Sequence, residues 1–293
     1  MKKQNVKTIG QIAVWVGVLI YFVWIFAPFL IVILTSFTTE MQLVGSKQFV
    51  WRPEPFSTEG YKVLFELDPN KVNGVSSLFV GFFNTLWQTL IPTVSGLLVS
   101  GLAAFCYAKY DFPGKSKFFA ANLVLMTIPL SAGFTDYLFY NAIGWTQGSA
   151  SVLPLIVPKM LGGATTIFFI YPYIKALPSS IVEAAKIDGM GFFGIFFRIV
   201  LPLSLPVFLS QFLFLFVTGY NNYSNALIYL MNEKSLWRLQ LALNQVVSYI
   251  VGPGGYENAQ CAAALMALLP MIVLYCFVQK FFISGITAGS VKG

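Results

Sequence analysis

Apolar residues in this chain gather into long uninterrupted runs, not into the alternation that marks strands or the single stripe that marks a helix of a soluble domain. Gly10 to Leu34 carries no charged residue over 25 positions, and about 20 apolar residues at a helical rise of about 1.5 Å cross the hydrocarbon core of a bilayer. The pattern predicts six spans, at about 10–35, 79–108, 118–141, 151–175, 196–220 and 259–283. The expected fold is therefore an all-α integral membrane protein, with residues 1–293 forming one transmembrane domain. The first run is too long for the apolar core of a signal peptide and no small-x-small cleavage site follows it, so an uncleaved first helix is expected.

Polar stretches separate the spans unevenly. Thr38 to Ser77 contains prolines and Glu40, Glu54, Glu59, Glu66 and Asp68, and reads as a small structured external loop. Asn221 to Asn258 reads as a second external stretch, with a helix near Ser235–Tyr249 and a glycine-rich turn at Gly252-Pro253-Gly254-Gly255. With the N-terminus inside, the inner segments hold Lys2, Lys3, Lys7, Lys109, Lys115, Lys117, Lys175, Lys186, Arg198, Lys280 and Lys292, against Lys47, Arg52, Lys62, Lys71, Lys234 and Arg238 outside. That excess of cations inside predicts both termini in the cytoplasm.

Composition agrees and narrows the chemistry. Only 10% of residues are charged, where a soluble domain carries about 25%, and mean hydropathy is +0.74. The 29 phenylalanines suit lipid-facing and interfacial surface. A net charge of +7 is what cytoplasmic loops of a membrane protein produce, so no nucleic-acid partner is implied. The chain has no histidine, which removes Ser-His-Asp catalysis and His-ligated metal. Cys261 and Cys276 fall on one predicted helix, roughly 22 Å apart at helical rise, too far to bridge. Cys106 reads as a buried apolar residue. No G-x-x-x-x-G-K-[ST] occurs, so any nucleotide would be bound elsewhere. No catalytic, cofactor or metal residue is assigned.

Within the spans, Gly96, Ser100, Ala104 and Ala108 recur every four residues, as do Ala259, Ala263 and Ala267. Small residues at that spacing let helix backbones approach closely, either inside the chain or against another subunit. Pro172, Pro202, Pro206 and Pro270 sit where they would kink helices. Asp136 and Lys159 are ionisable groups at or within the membrane; such groups face a water-filled cavity or pair with a partner. Tyr220, Asn221, Asn222, Tyr223 and Asn225 offer hydrogen-bond groups and aromatic faces that would either contact a polar ligand or form an interfacial aromatic belt.

The most informative segment is Pro178–Pro206, PSSIVEAAKIDGMGFFGIFFRIVLPLSLP. Ser180 followed by Glu183 fits a capping box, Ile181 to Asp188 gives about two helical turns, and Gly189 stands where a left-handed C-terminal cap is expected. The segment predicts a short helix pinned at both ends on the cytoplasmic side, serving as a lever or simply as a turn.

Glu183-Ala184-Ala185, Gly189, Ile199, Leu201 and Pro202 match the signature EAA-x3-G-x9-I-x-LP without a gap. The chain thereby resembles the permease subunits of ATP-binding-cassette importers. Asn84-Thr85, Tyr110-Asp111-Phe112-Pro113-Gly114-Lys115 and the ending Gly285-Ile286-Thr287-Ala288-Gly289-Ser290-Val291-Lys292-Gly293 extend the likeness to the smaller, MalG-like permease of maltose-type carbohydrate importers. Tyr220-Asn221-Asn222 departs from the aromatic-Asn-Glu that the family often has there.

The resemblance implies a type I importer architecture in the bacterial cytoplasmic membrane. It implies a coupling loop at 176–195 whose helix docks on a cytoplasmic ATPase, with Glu183 capping the helix, Ala184 and Ala185 permitting close approach and Gly189 allowing a sharp exit. The implied partners are the lipid bilayer, a second, larger permease, two ATPase subunits that hold the ATP and magnesium, and an extracytoplasmic sugar-binding protein. That protein would be met by the Gly252–Gly255 turn. The cargo would be a sugar or oligosaccharide. The alternatives are another small polar solute such as glycerol phosphate, or an ATP-independent secondary transporter.

Overall fold

In the computed structural model, residues 2–46, 50–127, 133–251 and 255–290 are described. The regular structure among them is helical: α1 (Lys2–Ser36), α2 (Glu40–Ser46), α3 (Glu59–Glu66), α4 (Ser77–Lys109), α5 (Lys115–Thr127), α6 (Phe134–Ala142), α7 (Leu153–Met160), α8 (Ala164–Ala176), α9 (Ser179–Ile187), α10 (Phe192–Ile195), α11 (Leu201–Leu203), α12 (Leu205–Tyr220), α13 (Tyr223–Leu230), α14 (Leu239–Ile250) and α15 (Glu257–Ser290). A π-helical turn, Phe196–Val200, joins α10 to α11.

Four stretches among the described residues are long and apolar enough to cross a membrane: Val14–Ser36, Ser77–Lys109, Gly148–Ala176 and Glu257–Phe277. A fifth is a pair, Phe192–Leu203 and Leu205–Tyr220, bent by 85°. The bend lies between Pro202 and Pro206. Neither has an N–H to give to the preceding turn, so two consecutive turns lose a bond and the helix opens at Ser204. The predicted third span, 118–141, covers α5 and α6 and includes 128–132, outside the described residues. Gly252, Pro253 and Gly254 of the predicted turn and Val291–Gly293 of the tail also lie outside them.

The chain divides into two compact units, Met1–Lys71 with Leu243–Pro270 and Val72–Ala242 with Met271–Gly293. In the first, α1 presents apolar side chains outward, Trp15 at 73% and Trp24 at 76% exposure. That surface suits lipid or a neighbouring helix and nothing aqueous. The polar loop after it is folded, as its sequence predicts. The Tyr61 hydroxyl donates to Ser36 Oγ (3.1 Å), the Glu40 N–H donates to Glu59 Oε2 (3.2 Å), and Asn258 Nδ2 donates to the Thr38 carbonyl (3.0 Å). Gly60 sits where an added Cβ would lie 2.7 Å from the Asn258 carbonyl oxygen, so α3 and the start of α15 touch through backbone.

In the second unit α4 is the central element, packed on α7, α8 and α12. Its buried positions fall in adjacent pairs four residues apart, from Asn84-Thr85 through Gln88-Thr89, Pro92-Thr93, Gly96-Leu97 and Ser100-Gly101 to Ala104-Phe105. At about 100° per residue a four-residue repeat drifts about 40° per step, so the buried stripe winds around α4 from one set of partners to the next. Its first half is polar and grips the segment before α14. Asn84 Nδ2 donates to the Ser235 and Trp237 carbonyls (2.7 and 3.0 Å), Gln88 Nε2 donates to the Leu236 carbonyl (2.9 Å), and the Leu239 N–H donates to Thr85 Oγ1 (2.8 Å). Replacing Thr85 by valine keeps the shape and leaves the Leu239 N–H without its acceptor, at a cost of about 1–3 kcal/mol. The expected result is a lower thermal unfolding midpoint for Thr85→Val in detergent, with Thr85→Ser close to the parent.

The second half of α4 is apolar. Leu97, Ala104 and Phe105 form the core with Ile170 and Ile174 of α8, Val182 and Ala185 of α9, Phe196 and Val200 of the π turn, and Val207 and Phe208 of α12. Lys109, at the end of α4, donates to the Lys175 carbonyl (3.3 Å) and to the Leu177 carbonyl. A cation there neutralises the negative end of α8.

Candidate functional site

Two places in the second unit combine unusual geometry with chemistry. The first is α9. Helix α9 begins at Ser179, after Pro178 at the N-cap, with no side-chain capping bond. The capping box expected at Ser180 and Glu183 is therefore not formed, and Glu183 does not cap the helix. Proline at the boundary already holds a backbone dihedral that leads into the helix, so the first turn starts two residues earlier than the serine would set it.

The other end follows the sequence reading. Gly189 has φ +78°; its N–H donates to the Lys186 carbonyl (3.0 Å) and the Met190 N–H donates to the Ala185 carbonyl (3.0 Å). These two bonds are the Schellman arrangement, which requires a left-handed residue at this position. Nothing lies within 4 Å of a Cβ added to Gly189, so its need for glycine is conformational and not steric.

The two faces of α9 differ. Val182 and Ala185 are buried in the core, each 3% exposed. Glu183, Ala184 and Ile187 face out, Ile187 at 87% exposure. The expectation that both alanines permit close approach to another protein holds in geometry only for Ala184; Ala185 fits the helix against its own core. Ile199 and Leu201 likewise pack against that core, and Pro202 is exposed. Lys186 Nζ lies over the Tyr110 ring at 4.3 Å. Tyr110 meets Phe192 (5.4 Å) and Phe105 (5.3 Å), and Phe196 meets Phe105 (5.9 Å) and Phe208 (6.2 Å). Aromatic contacts thus run without a gap from α9, past the π turn, to α12.

The second place is a cavity of about 300 Å³ beside a break in the predicted fourth span. Between α7 and α8, Gly162 takes φ +83°, and the Gly163 N–H donates to Ser100 Oγ (3.0 Å). A Cβ on Gly96 would fall on the Lys159 carbonyl oxygen. The small residues of α4 thus serve packing within the chain, as one of the two readings of their spacing expects. Gln88, Thr93, Lys159, Thr166 and Thr218 line the cavity. Behind Gln88, Arg238 is 2% exposed; its Nε donates to Gln88 Oε1 (2.8 Å) and its Nη1 to the Gly219 carbonyl (3.0 Å). Burial lowers the Arg238 guanidinium to about 10, which leaves it charged at neutral pH.

Of the predicted pathway residues, Lys159 lines this cavity, while Asp136, Tyr220, Asn221, Asn222 and Tyr223 do not. Tyr220 is 1% exposed, which excludes a place in an interfacial belt. Asn222 accepts from the Asn225 N–H (3.3 Å) and caps α13, and Asn221 Oδ1 accepts from Gln240 Nε2 (3.3 Å). Asp136 stands in the first turn of α6 and forms no ion pair with Lys159 among the described residues. Gln88 and Arg238 escaped the sequence reading. A glutamine inside an apolar run is the signal that could have marked the first; nothing local marks the second.

No protein-family model matches the chain. Curated relatives do. The polygalacturonan/rhamnogalacturonan transport system permease protein YtcP of Bacillus subtilis is 33% identical, over 91% of this chain and 92% of its own length. The arabinooligosaccharides transport system permease protein AraQ of the same organism is 32% identical, over 82% and 81%. Among solved structures, a bacterial ABC transporter involved in import of the acidic polysaccharide alginate superposes with a TM-score of 0.79 at 18% identity, covering 94% of this chain and 96% of that one. With its apolar helices and its gapless signature, this multi-pass membrane protein belongs to the ABC-transporter permease family and is a transport component, not an enzyme.

Proposed function

We propose that this chain is one of two permeases in an ATP-driven importer that takes up an oligosaccharide delivered by an extracytoplasmic binding protein, and that α9 is the helix through which a cytoplasmic ATPase moves it. The observation that carries the reading is the two-faced construction of α9: one side locked in the core by Val182 and Ala185, the other presenting Glu183, Ala184 and Ile187 outward, away from that core. A lone exposed isoleucine is ordinary on a surface; what marks this face is that Glu183, Ala184 and Ile187 all stand on it outside the core. The reading places six spans in the membrane with both termini in the cytoplasm, following the lysine and arginine count. The oligosaccharide cargo rests on the names of the relatives, and the ATP and magnesium would be held by two ATPase subunits.

The test separates the two alanines. Ala184→Trp places bulk on the outward face and leaves the core untouched. It is expected to lower recovery of the ATPase on the purified permease roughly tenfold, a change of about 1.4 kcal/mol in binding, with unaltered membrane insertion. Wild-type recovery of ATPase with Ala184→Trp would remove α9 from the interface.

A further inference from the structure

The cavity beside Lys159 is positively charged without compensation. Among the described residues, no aspartate or glutamate lines it. Lys159 has no carboxylate partner among the described residues, and the buried Arg238 behind Gln88 is bonded only to the Gln88 side chain and to the Gln88 and Gly219 carbonyls. A lysine in an apolar span faces water, a partner or a cargo, because hydrocarbon will not accept it. The span carrying it is broken at Gly162, and α8 restarts beside the cavity with Gly163 and Thr166 on its wall. The positive end of that helix therefore adds to the same field. Thr93 and Thr218 supply hydroxyls around it, the groups a sugar ring requires. About 300 Å³ is at the lower end of the volumes that small-molecule sites occupy, about 300–1,000 Å³.

We infer that this cavity passes an anionic oligosaccharide, one whose sugar units carry carboxylates, and that Lys159 is the residue that selects for the charge. The inference rests on the proposed importer function and goes beyond it, since the relatives' names divide between a polygalacturonan and an arabino-oligosaccharide at nearly equal identity and cannot choose. Lys159 is exposed in this chain and lines the cavity, so its ammonium is available to each carboxylate that enters.

The experiment uses the complete importer in proteoliposomes with ATP inside. Uptake of a trigalacturonate is compared with that of a neutral arabinotriose and of glycerol 3-phosphate, for the parent, Lys159→Met and Lys159→Arg. The expected result is a preference for trigalacturonate that falls tenfold or more in Lys159→Met and is largely restored in Lys159→Arg, while co-purification of the other subunits is unchanged. Parent uptake of arabinotriose with none of trigalacturonate would overturn the inference and leave the importer reading standing, as would equal loss of both sugars or loss of the partner permease in Lys159→Met. Uptake of glycerol 3-phosphate alone would overturn the saccharide assignment, and no ATP-dependent uptake of any of the three would overturn both readings.

Discussion

Gly189→Pro should abolish ATP-driven uptake while the protein still inserts in the membrane. Proline holds φ near about −65°, whereas Gly189 sits at +78°, so no adjustment of neighbours allows it to occupy this turn. It also deletes the N–H that bonds to the Lys186 carbonyl. The end of α9 must then unwind or redirect the chain toward Phe192, and the contact of Phe192 with Tyr110, the ring on which Lys186 of α9 rests, is lost with it. Gly189→Ala is the informative companion. Open space surrounds the position, so its cost is the strain of a left-handed alanine, about 1–2 kcal/mol, and uptake should persist at a reduced rate. The measurement is binding-protein-stimulated ATP hydrolysis by the reconstituted importer, together with uptake. Normal stimulation in Gly189→Pro would show that α9 does not carry the stroke.

The graded pair also separates what the sequence made legible from what it did not. Gly189 could be placed as a left-handed cap because a glycine after two helical turns carries the whole signal locally. The other end misled: Ser180 and Glu183 stand at capping-box spacing, yet Pro178 starts the helix first, and a proline that initiates a helix looks in sequence like one that merely precedes it. The division of Ala184 from Ala185 was hidden because a repeated alanine has no polarity to tell one face from the other; only burial of Ala185 in the core decides it.

Charge inside an apolar run exposed Lys159 at once, since a lysine in hydrocarbon demands a reason. Arg238 gave no such sign. It sits in a polar stretch where an arginine reads as ordinary surface, and its partner Gln88 is 150 positions earlier. The polar half of α4 was obscured similarly. Asn84, Thr85 and Gln88 look like interruptions of a membrane span, yet they are a buried face whose hydrogen bonds go largely to backbone, and backbone leaves no mark in a sequence. Tyr220 was misplaced for the opposite reason: aromatic and asparagine residues at the mouth of a span are a pattern shared by belts, cargo sites and simple helix ends, and here two of them are hydrogen-bonded at the α12–α13 junction.

Small residues are where pattern and structure meet most directly, and they yield a strong discriminating test. At Gly96 an added Cβ would fall on the Lys159 carbonyl oxygen, a backbone atom at a helix break that cannot rotate away. Gly96→Val must drive α4 and α7 apart, and overpacking of this kind costs about 1–3 kcal/mol or more. Because Gly163 is bonded to Ser100 one turn along, the displacement would also strip that hydrogen bond and deform the cavity wall. The expected outcome is a large fall in the thermal unfolding midpoint of the purified protein and no measurable uptake. Gly101→Ala meets the Phe208 ring at 2.5 Å; a ring can tilt where a carbonyl cannot, so its effect should be smaller. Gly194→Ala meets only Met190 Cβ at 4.0 Å and should be neutral or slightly stabilising, as alanine favours a helix over glycine by about 1 kcal/mol. The order Gly96, Gly101, Gly194 follows from which atom stands in the way, and a Gly96→Val protein as stable as Gly194→Ala would mean that α4 and the break before α8 are not in backbone contact.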